Sequence, residues 1–280
     1  MISALLVSFN TRELLAGTLD RLLALPDPPG EVVVADNGST DGTLELLASR
    51  FPQVRVLPLG ENLGFGAANN RAAAAARGDR LLLLNSDAWP LPGALTRLAA
   101  ALDRDPRLAL AAPLLRYPDG RAQFHWAPAS SVVGEAVQKL RNPLESWRLM
   151  HRVRWPGRWF TAACALVRRE AFDAVGGFDE GFFLYFEDVD LCTRLLARGW
   201  NLRSVARAEA VHLKGGSRGR DRENLEYRRG QLRFYAKHRP AWENRFLRAR
   251  LARRARRLPP AERERLLALL AEPVGATPPR

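Results

Sequence analysis

Residues 183–191 read FLYFEDVDL, which sets Glu187, Asp188 and Asp190 directly behind the aromatic residues Phe182, Phe183, Tyr185 and Phe186. Part of this pattern is ordinary helix chemistry. Acids are favoured in a first turn because the helix N-terminus carries partial positive charge. Leu191, Leu195 and Leu196 then share one face, Arg194 and Arg198 crowd the last turn, and Gly199 can close the helix in a left-handed cap. Helix chemistry leaves the aromatic wall unexplained. A carboxylate desolvated by such a wall has its pKa pushed up, which suits a proton acceptor.

Other polar residues fall where strands should end. The apolar run ISALLVSF predicts a first strand ending in Ser8, Phe9 and Asn10, followed by a helix with Leu15, Leu19, Leu22 and Leu23 on one face and stopped by Pro26. EVVVADN predicts a second strand ending in Asp36 and Asn37, and VRVLPLG a third, leading through ENLGFG into an alanine-rich helix. DRLLLLNSD predicts a fourth, covered on both faces, ending in Asn85, Ser86 and Asp87. Strands alternating with helices indicate a parallel, doubly wound sheet, in which ligands bind at the carboxyl ends of the strands. An aromatic face there can stack on a base, and a carboxylate can accept from a ring N–H or a ribose hydroxyl. Each residue also has a local explanation. Asn10 or Thr11 can cap the first helix, Asp41 the second, and Asn37-Gly38 is a turn sequence.

A divalent cation at Asp87 that also grips a diphosphate needs a second protein ligand. His212, ending the last strand-like run (202–213) just before KGGSRG, is the candidate, with Lys214 and Arg218 placed to neutralise phosphate. Between these elements, LALAAP continues the alternation, LLRYPDGRAQF reads as a hairpin turning at Asp119-Gly120, residues 126–158 have no clean period, and FTAACALVRR reads as a strand. Glycines in ENLGFG lack the third spaced glycine of a phosphate loop and argue only weakly for one.

With 47% hydrophobic residues in 280, the chain can bury a large core, which excludes a disordered protein, and its formal charge of +13 implies anionic partners. Cys164 and Cys192 lie in apolar stretches without metal spacing and read as reduced core residues. MISALLVSFNTREL lacks a basic leader and cleavage site, and no stretch has the length of a membrane span. The expected address is the cytoplasm, free or peripheral at the inner face of the membrane. Segments 224–258 and 261–270 are arginine-rich and helical, with Leu247, Leu251, Ala255 and Leu258 on one side, either docked on the domain or lying on an anionic membrane. Nucleic acid is disfavoured, because aromatics are not interleaved with the basic residues as base stacking needs.

VSFN, VVVADNGSTDGT, ENLGFGAANN, LLLLNSDA, FTAACALVRREAFDAVGGFDEGFFLYFEDVDLCTRL and VHLKGGS, in that order, resemble the family 2 glycosyltransferases, particularly their bacterial rhamnosyltransferase-like branch, over residues 3–217. The resemblance implies a GT-A fold, an α/β Rossmann-like mostly parallel sheet flanked by helices. It implies a catalytic domain over 1–217, divided into a nucleotide-sugar half (1–113) and an acceptor-side half (114–217), with a basic helical extension over 218–280. It further implies a nucleotide-sugar donor, a divalent cation (Mg²⁺ or Mn²⁺) and inversion at the anomeric carbon by direct displacement. Carried over, Ser8, Phe9, Asn10, Asp36, Asn69, Asn85 and Ser86 would hold the donor, and Asp87 and His212 the metal. Asp188 would be the base and Glu187 its support. The first position of the family's Asp-x-Asp element is Asn85 here, which removes one negative charge and lowers the expected metal affinity. A thymidine-diphosphate rhamnose donor, or else a uridine-diphosphate sugar, and a glycan or lipid-linked acceptor follow by the same resemblance. A nicotinamide dehydrogenase would need G-x-G-x-x-G after the first strand, which is absent. The alternative left standing is a non-enzymatic basic module that binds membrane or nucleic acid.

Overall fold

The run ISALLVS forms strand β1 (Ile2–Ser8), and helix α1 (Arg12–Leu23) follows it. The same step recurs through β2 (Glu31–Asp36), α2 (Thr43–Arg50), β3 (Arg55–Pro58), α3 (Phe65–Ala75) and β4 (Arg80–Asn85). The computed structural model describes residues 1–123, 125–127, 130–131, 134, 158–213 and 224–272. Lys214, Arg218 and most of the irregular segment 126–158 lie outside these residues. After β4 come β5 (Ala88–Pro90), α4 (Ala94–Arg104), β6 (Leu108–Arg116), β7 (Ala122–Gln123), β8 (Trp126–Ala127), β9 (Trp159–Phe160) and β10 (Cys164–Arg168). Helices α5 (Arg169–Ala174) and α6 (Glu187–Ala197), strand β11 (Asn201–His212), and helices α7 (Leu225–His238), α8 (Ala241–Ala255) and α9 (Pro260–Ala271) complete the described chain.

The main sheet has nine strands in the order β3-β2-β1-β4-β10-β6-β11-β5, with β7 added to β6. Strands β3, β2, β1 and β4 are parallel, as the alternation of strand and helix predicts, and β6 is parallel to β11. Strand β10 departs from that expectation. It enters antiparallel between β4 and β6, so the sheet is mixed. Both faces are covered: Ala4, Leu6, Val34 and Leu82 pack under α1 and α4, while Leu5, Val33, Leu81 and Leu83 pack under α3 and α6. The hairpin expected at Asp119-Gly120 forms, with Leu115 opposite Gln123 and Gly120 at φ 83°.

The expected helix over 224–258 is two helices. Pro240 cannot supply the N–H that would continue α7, and Arg239 before it is extended at φ −119°, ψ 152°. Asn224 starts α7 by accepting a hydrogen bond from the Tyr227 N–H at 3.0 Å. The leucine stripe faces protein. Leu247, Leu251, Ala255 and Leu258 are buried with Leu232, Phe234 and Tyr235 of α7 and with Phe182, Phe186 and Val189.

Candidate active site

Three strand ends lie in register. Ser8 of β1 stands beside Asp36 of β2, and Val7 beside Asn85 of β4, so these polar residues share one carboxyl edge. Asp36 is fully buried. Its Oδ1 accepts from the Ser39 N–H at 2.9 Å, while its Oδ2 has no partner among the described residues. A buried carboxylate oxygen without a donor carries a desolvation cost that a ligand N–H or O–H would relieve. Phe9, 45% exposed, presents its ring at the same edge. Ser8 Oγ lies 3.0 Å from Thr11 Oγ1. Asn10, at φ 53°, does not cap α1. Its side chain accepts from the Thr40 N–H at 2.8 Å and ties the loop after β1 to the loop after β2.

Strand β5 was not expected, and it creates the second cluster. Its antiparallel pairing with β11 sets His212 opposite Ala88, and the Leu213 N–H donates to the Asp87 carbonyl at 3.0 Å. His212 Nε2 therefore lies 3.3 Å from Asp87 Oδ1 and 3.5 Å from Asn85 Nδ2. Ser86 is held through its carbonyl, which accepts from Thr18 Oγ1 at 2.8 Å. Gln123, unnoticed in the sequence, orients the histidine. Its amide N–H donates to the His212 carbonyl at 3.1 Å, which turns Gln123 Oε1 toward His212 Nδ1 at 2.6 Å. An amide oxygen only accepts, so Nδ1 carries a hydrogen and Nε2 is the ring nitrogen that faces Asp87.

Among the described residues, no three His, Cys, Asp or Glu side chains form a metal cage. Asp87 and His212 are two donors on one side, a set that fits a cation whose other ligands are diphosphate oxygens and water. Gln123→Leu is expected to weaken Mn²⁺ binding about tenfold in the presence of a nucleoside diphosphate. Electron paramagnetic resonance of free Mn²⁺ reads this directly, and equal affinities would remove Gln123 from the site.

The acidic pair stands at the start of α6. Glu187 is buried and its Oε2 has no partner among the described residues. Burial, then the neighbouring Asp188 charge, push its carboxyl above the usual range. Burial also raises Asp188, against hydrogen bonds from the Val189 N–H (2.8 Å), the Ala162 N–H (3.4 Å) and Thr161. Immediately before them, Tyr185 and Phe186 adopt left-handed backbone angles, φ 68° and 70°. Two consecutive bulky residues in that region hold backbone strain, and such strain concentrates at functional sites.

The antiparallel entry of β10 joins the acids to the strand edge. Residues 161–163 run over the end of β4, where the Asn85 N–H donates to the Ala163 carbonyl at 3.0 Å. One residue earlier, Ala162 donates to Asp188. The polar strand edge and the acidic pair are thus separated by a single short turn. The loop ENLGFG packs against the other side. The Phe65 N–H donates to the Phe183 carbonyl at 2.9 Å, and a Cβ on Gly64 would collide with that carbonyl. The glycine is explained by this close approach and not by a phosphate. Asn69 is fully buried in α3, its amide donating to the Phe65 carbonyl at 3.0 Å and its Oδ1 without a partner among the described residues.

Phe182 and Phe186 of the aromatic wall are buried against apolar residues of α7 and α8. Asp190 is more than a first-turn acid favoured by the helix dipole. Fully buried, it accepts from Arg194 Nε at 2.6 Å and from Lys237 Nζ and His238 Nε2, each at 2.7 Å, and so bonds α6 to α7.

The layered mixed sheet, with its polar carboxyl edge, has the GT-A glycosyltransferase fold. It superposes on mannosyltransferase PcManGT from Pyrobaculum calidifontis, in complex with GDP-Man and Mn²⁺, with a TM-score of 0.58 at 19% identity, covering 95% of this chain and 68% of that one. On GalNAc-T7 with UDP, GalNAc and Mn²⁺ the TM-score is 0.62 at 17% identity, covering 96% of this chain and 54% of that one. Residues 3–176 match the family model "Glycosyl transferase family 2", and the chain belongs to that family. Within it the chain is rhamnosyltransferase-like. It is 37% identical over 227 residues, 72% of this chain and 74% of the other, to the N-acetylglucosaminyl-diphospho-decaprenol L-rhamnosyltransferase of Mycobacterium tuberculosis (strain ATCC 25618 / H37Rv).

Proposed function

We propose that this glycosyltransferase moves a hexose, rhamnose or a close relative, from a thymidine- or uridine-diphosphate donor to a hydroxyl of a lipid-linked glycan, with inversion at the anomeric carbon. The observation that carries the reading is the turn 161–163, which holds Asp188 one residue away from the Asn85 edge. On this reading Phe9 stacks on the base, and the unpartnered Asp36 Oδ2 accepts from its ring N–H. Ser8, Asn10, Asn69, Asn85 and Ser86 shape the rest of the donor site. Asp188 accepts the proton of the acceptor hydroxyl as its oxygen bonds to the anomeric carbon. The bond from that carbon to the diphosphate breaks, and its electron pair leaves with the nucleoside diphosphate. Glu187, whose carboxyl burial pushes above the usual range, holds the acceptor or the base in place. Asp87 and His212 would hold a divalent cation, which when bound offsets charge on the departing diphosphate.

Three findings support this reading: the raised carboxyl pair, the orphaned donor-edge oxygen, and a relative whose name specifies an L-rhamnosyl transfer to a prenol-linked sugar. No helix among the described residues is long and apolar enough to cross a membrane. The prenol-linked sugar in the relative's name is the ground on which we place the enzyme at the cytoplasmic surface of a membrane as a peripheral protein. A thermal-shift screen of thymidine- and uridine-diphosphate sugars with Mn²⁺ tests the donor, and transfer to a prenyl-diphosphate N-acetylglucosamine tests the acceptor. Product of inverted anomeric configuration is expected. Stabilisation by no nucleotide sugar would sink the reading, and full transfer in excess chelator would remove the metal from it.

A further inference from the structure

Helix α8 buries one face and turns the other outward. Glu243, Leu247, Leu251 and Ala255, four residues apart, are the buried side. Opposite them, Trp242 is 54% and Phe246 49% exposed, large values for residues of this size. At 3.6 residues per turn, Trp242, Phe246, Ala249 and Arg253 fall within about 60° of arc. Exposed Arg245 flanks that arc, and exposed Arg256 and Arg257 follow in the turn that ends the helix. The helix has a single acidic residue, Glu243, and it is on the buried side. The outward face therefore combines two aromatic rings with Arg245 and Arg253 and no carboxylate, and Arg256 and Arg257 add charge at its end.

We propose that this face seats the protein on an anionic lipid bilayer. Tryptophan and phenylalanine favour the boundary between headgroups and acyl chains, and arginines around them attract anionic headgroups while their stems cover apolar surface. Because the leucine side of α8 is already packed on α7, the helix lies flat and enters shallowly, with nothing to refold. The net charge of +13 acts in the same direction. A lipid-linked acceptor would then be presented to the enzyme in the plane in which the enzyme sits. The seat extends the membrane part of the proposed function and rests on that reading only for its purpose.

Co-sedimentation of the full chain with phosphatidylcholine vesicles, with and without phosphatidylglycerol, tests it, using no donor or acceptor. Binding is expected only with phosphatidylglycerol and should weaken as salt rises. The Trp242→Ala/Phe246→Ala and Arg245→Gln/Arg253→Gln variants should each bind at least about tenfold more weakly, with unchanged transfer to a water-soluble acceptor. Brominated lipids should quench the fluorescence of the native chain more than that of Trp242→Phe, a change too small to disturb folding. Equal binding by the variants, equal quenching, or no binding of the native chain overturns the proposal. So does loss of oligonucleotide binding in the same variants without any change on vesicles. Because vesicle binding is read without substrates, its failure leaves the transfer reading untouched, and failure of transfer leaves the seat untouched.

Discussion

Asp188→Asn is expected to bind nucleotide sugar as the native chain does and to transfer it about 10³-fold more slowly, within the range that a positioned base contributes. The substitution keeps the shape of the side chain and one oxygen, which can still accept from the Val189 N–H (2.8 Å), replaces the oxygen at the longer Ala162 N–H contact (3.4 Å) by an amide nitrogen, and removes the capacity to take a proton. Its effect on stability runs the other way. A carboxyl raised above its unfolded value costs stability once it ionises, so the native pair Glu187–Asp188 destabilises the fold increasingly as pH rises through its raised range. The amide cannot ionise, and Asp188→Asn should melt at a higher temperature than the native chain at neutral pH. Activity has the matching sign. The base must be ionised, so kcat/KM should fall with decreasing pH through a range above that of an ordinary carboxylate, and the two acids titrate as a pair. Calorimetry and single-turnover transfer check both. A variant that transfers at the native rate would remove Asp188 from the chemistry, while one that is inactive and also destabilised would mean that the carboxylate serves the fold.

The polar edge of the sheet was legible in the sequence because its logic is local. Apolar runs covered on both faces mark where strands β1, β2 and β4 end, and the first polar residues after them, Ser8, Asp36 and Asn85, stand together once the strands are parallel. The parts that were not legible depend on partners far away in the chain. Gln123 matters because β7 and β11 both lie on β6, which sets its amide beside His212 across 89 residues. Ala162 matters because β10 enters against the direction of its neighbours. No period or composition announces either. The aromatic wall was visible and its purpose was not, since Phe182 and Phe186 find their apolar complement on α7, which ion pairs from Lys237 and His238 to Asp190 also tie to α6. Pro240 was a readable stop, and the two-helix outcome follows from it.

Asp190→Ala should cost the protein about 3–5 kcal/mol, the usual penalty for removing one side of a buried charge cluster, and lower Tm by roughly 10 °C. Arg194, Lys237 and His238 would be left facing one another with their shared acceptor gone. Asp179 would remain to pair with Arg233 and Lys237, so α7 should loosen at its C-terminal end without leaving. Burial alone would raise both carboxyls, but His238, Arg194 and Lys237 hold Asp190 below the usual range, and Lys237, the Gly181 N–H and Arg233 hold Asp179 down to about 2. Depressed carboxyls stabilise the fold above their unfolded pKa, about 3.9, and lose that contribution as pH falls through the folded values. The native chain should therefore lose stability between roughly pH 4 and 2, and Asp190→Ala should flatten that slope. Transfer should fall as well, because Gly230 of α7 backs the Tyr185 carbonyl so closely that a Cβ would strike it, and Tyr185 begins the strained turn that presents Glu187 and Asp188. Gly230→Ala separates the two effects. It leaves the ion pairs intact and pushes on the turn, so it should reduce kcat more than KM while the acid slope of stability stays native. A Gly230→Ala enzyme with native kcat would show that α7 secures the fold and has no hold on the acids.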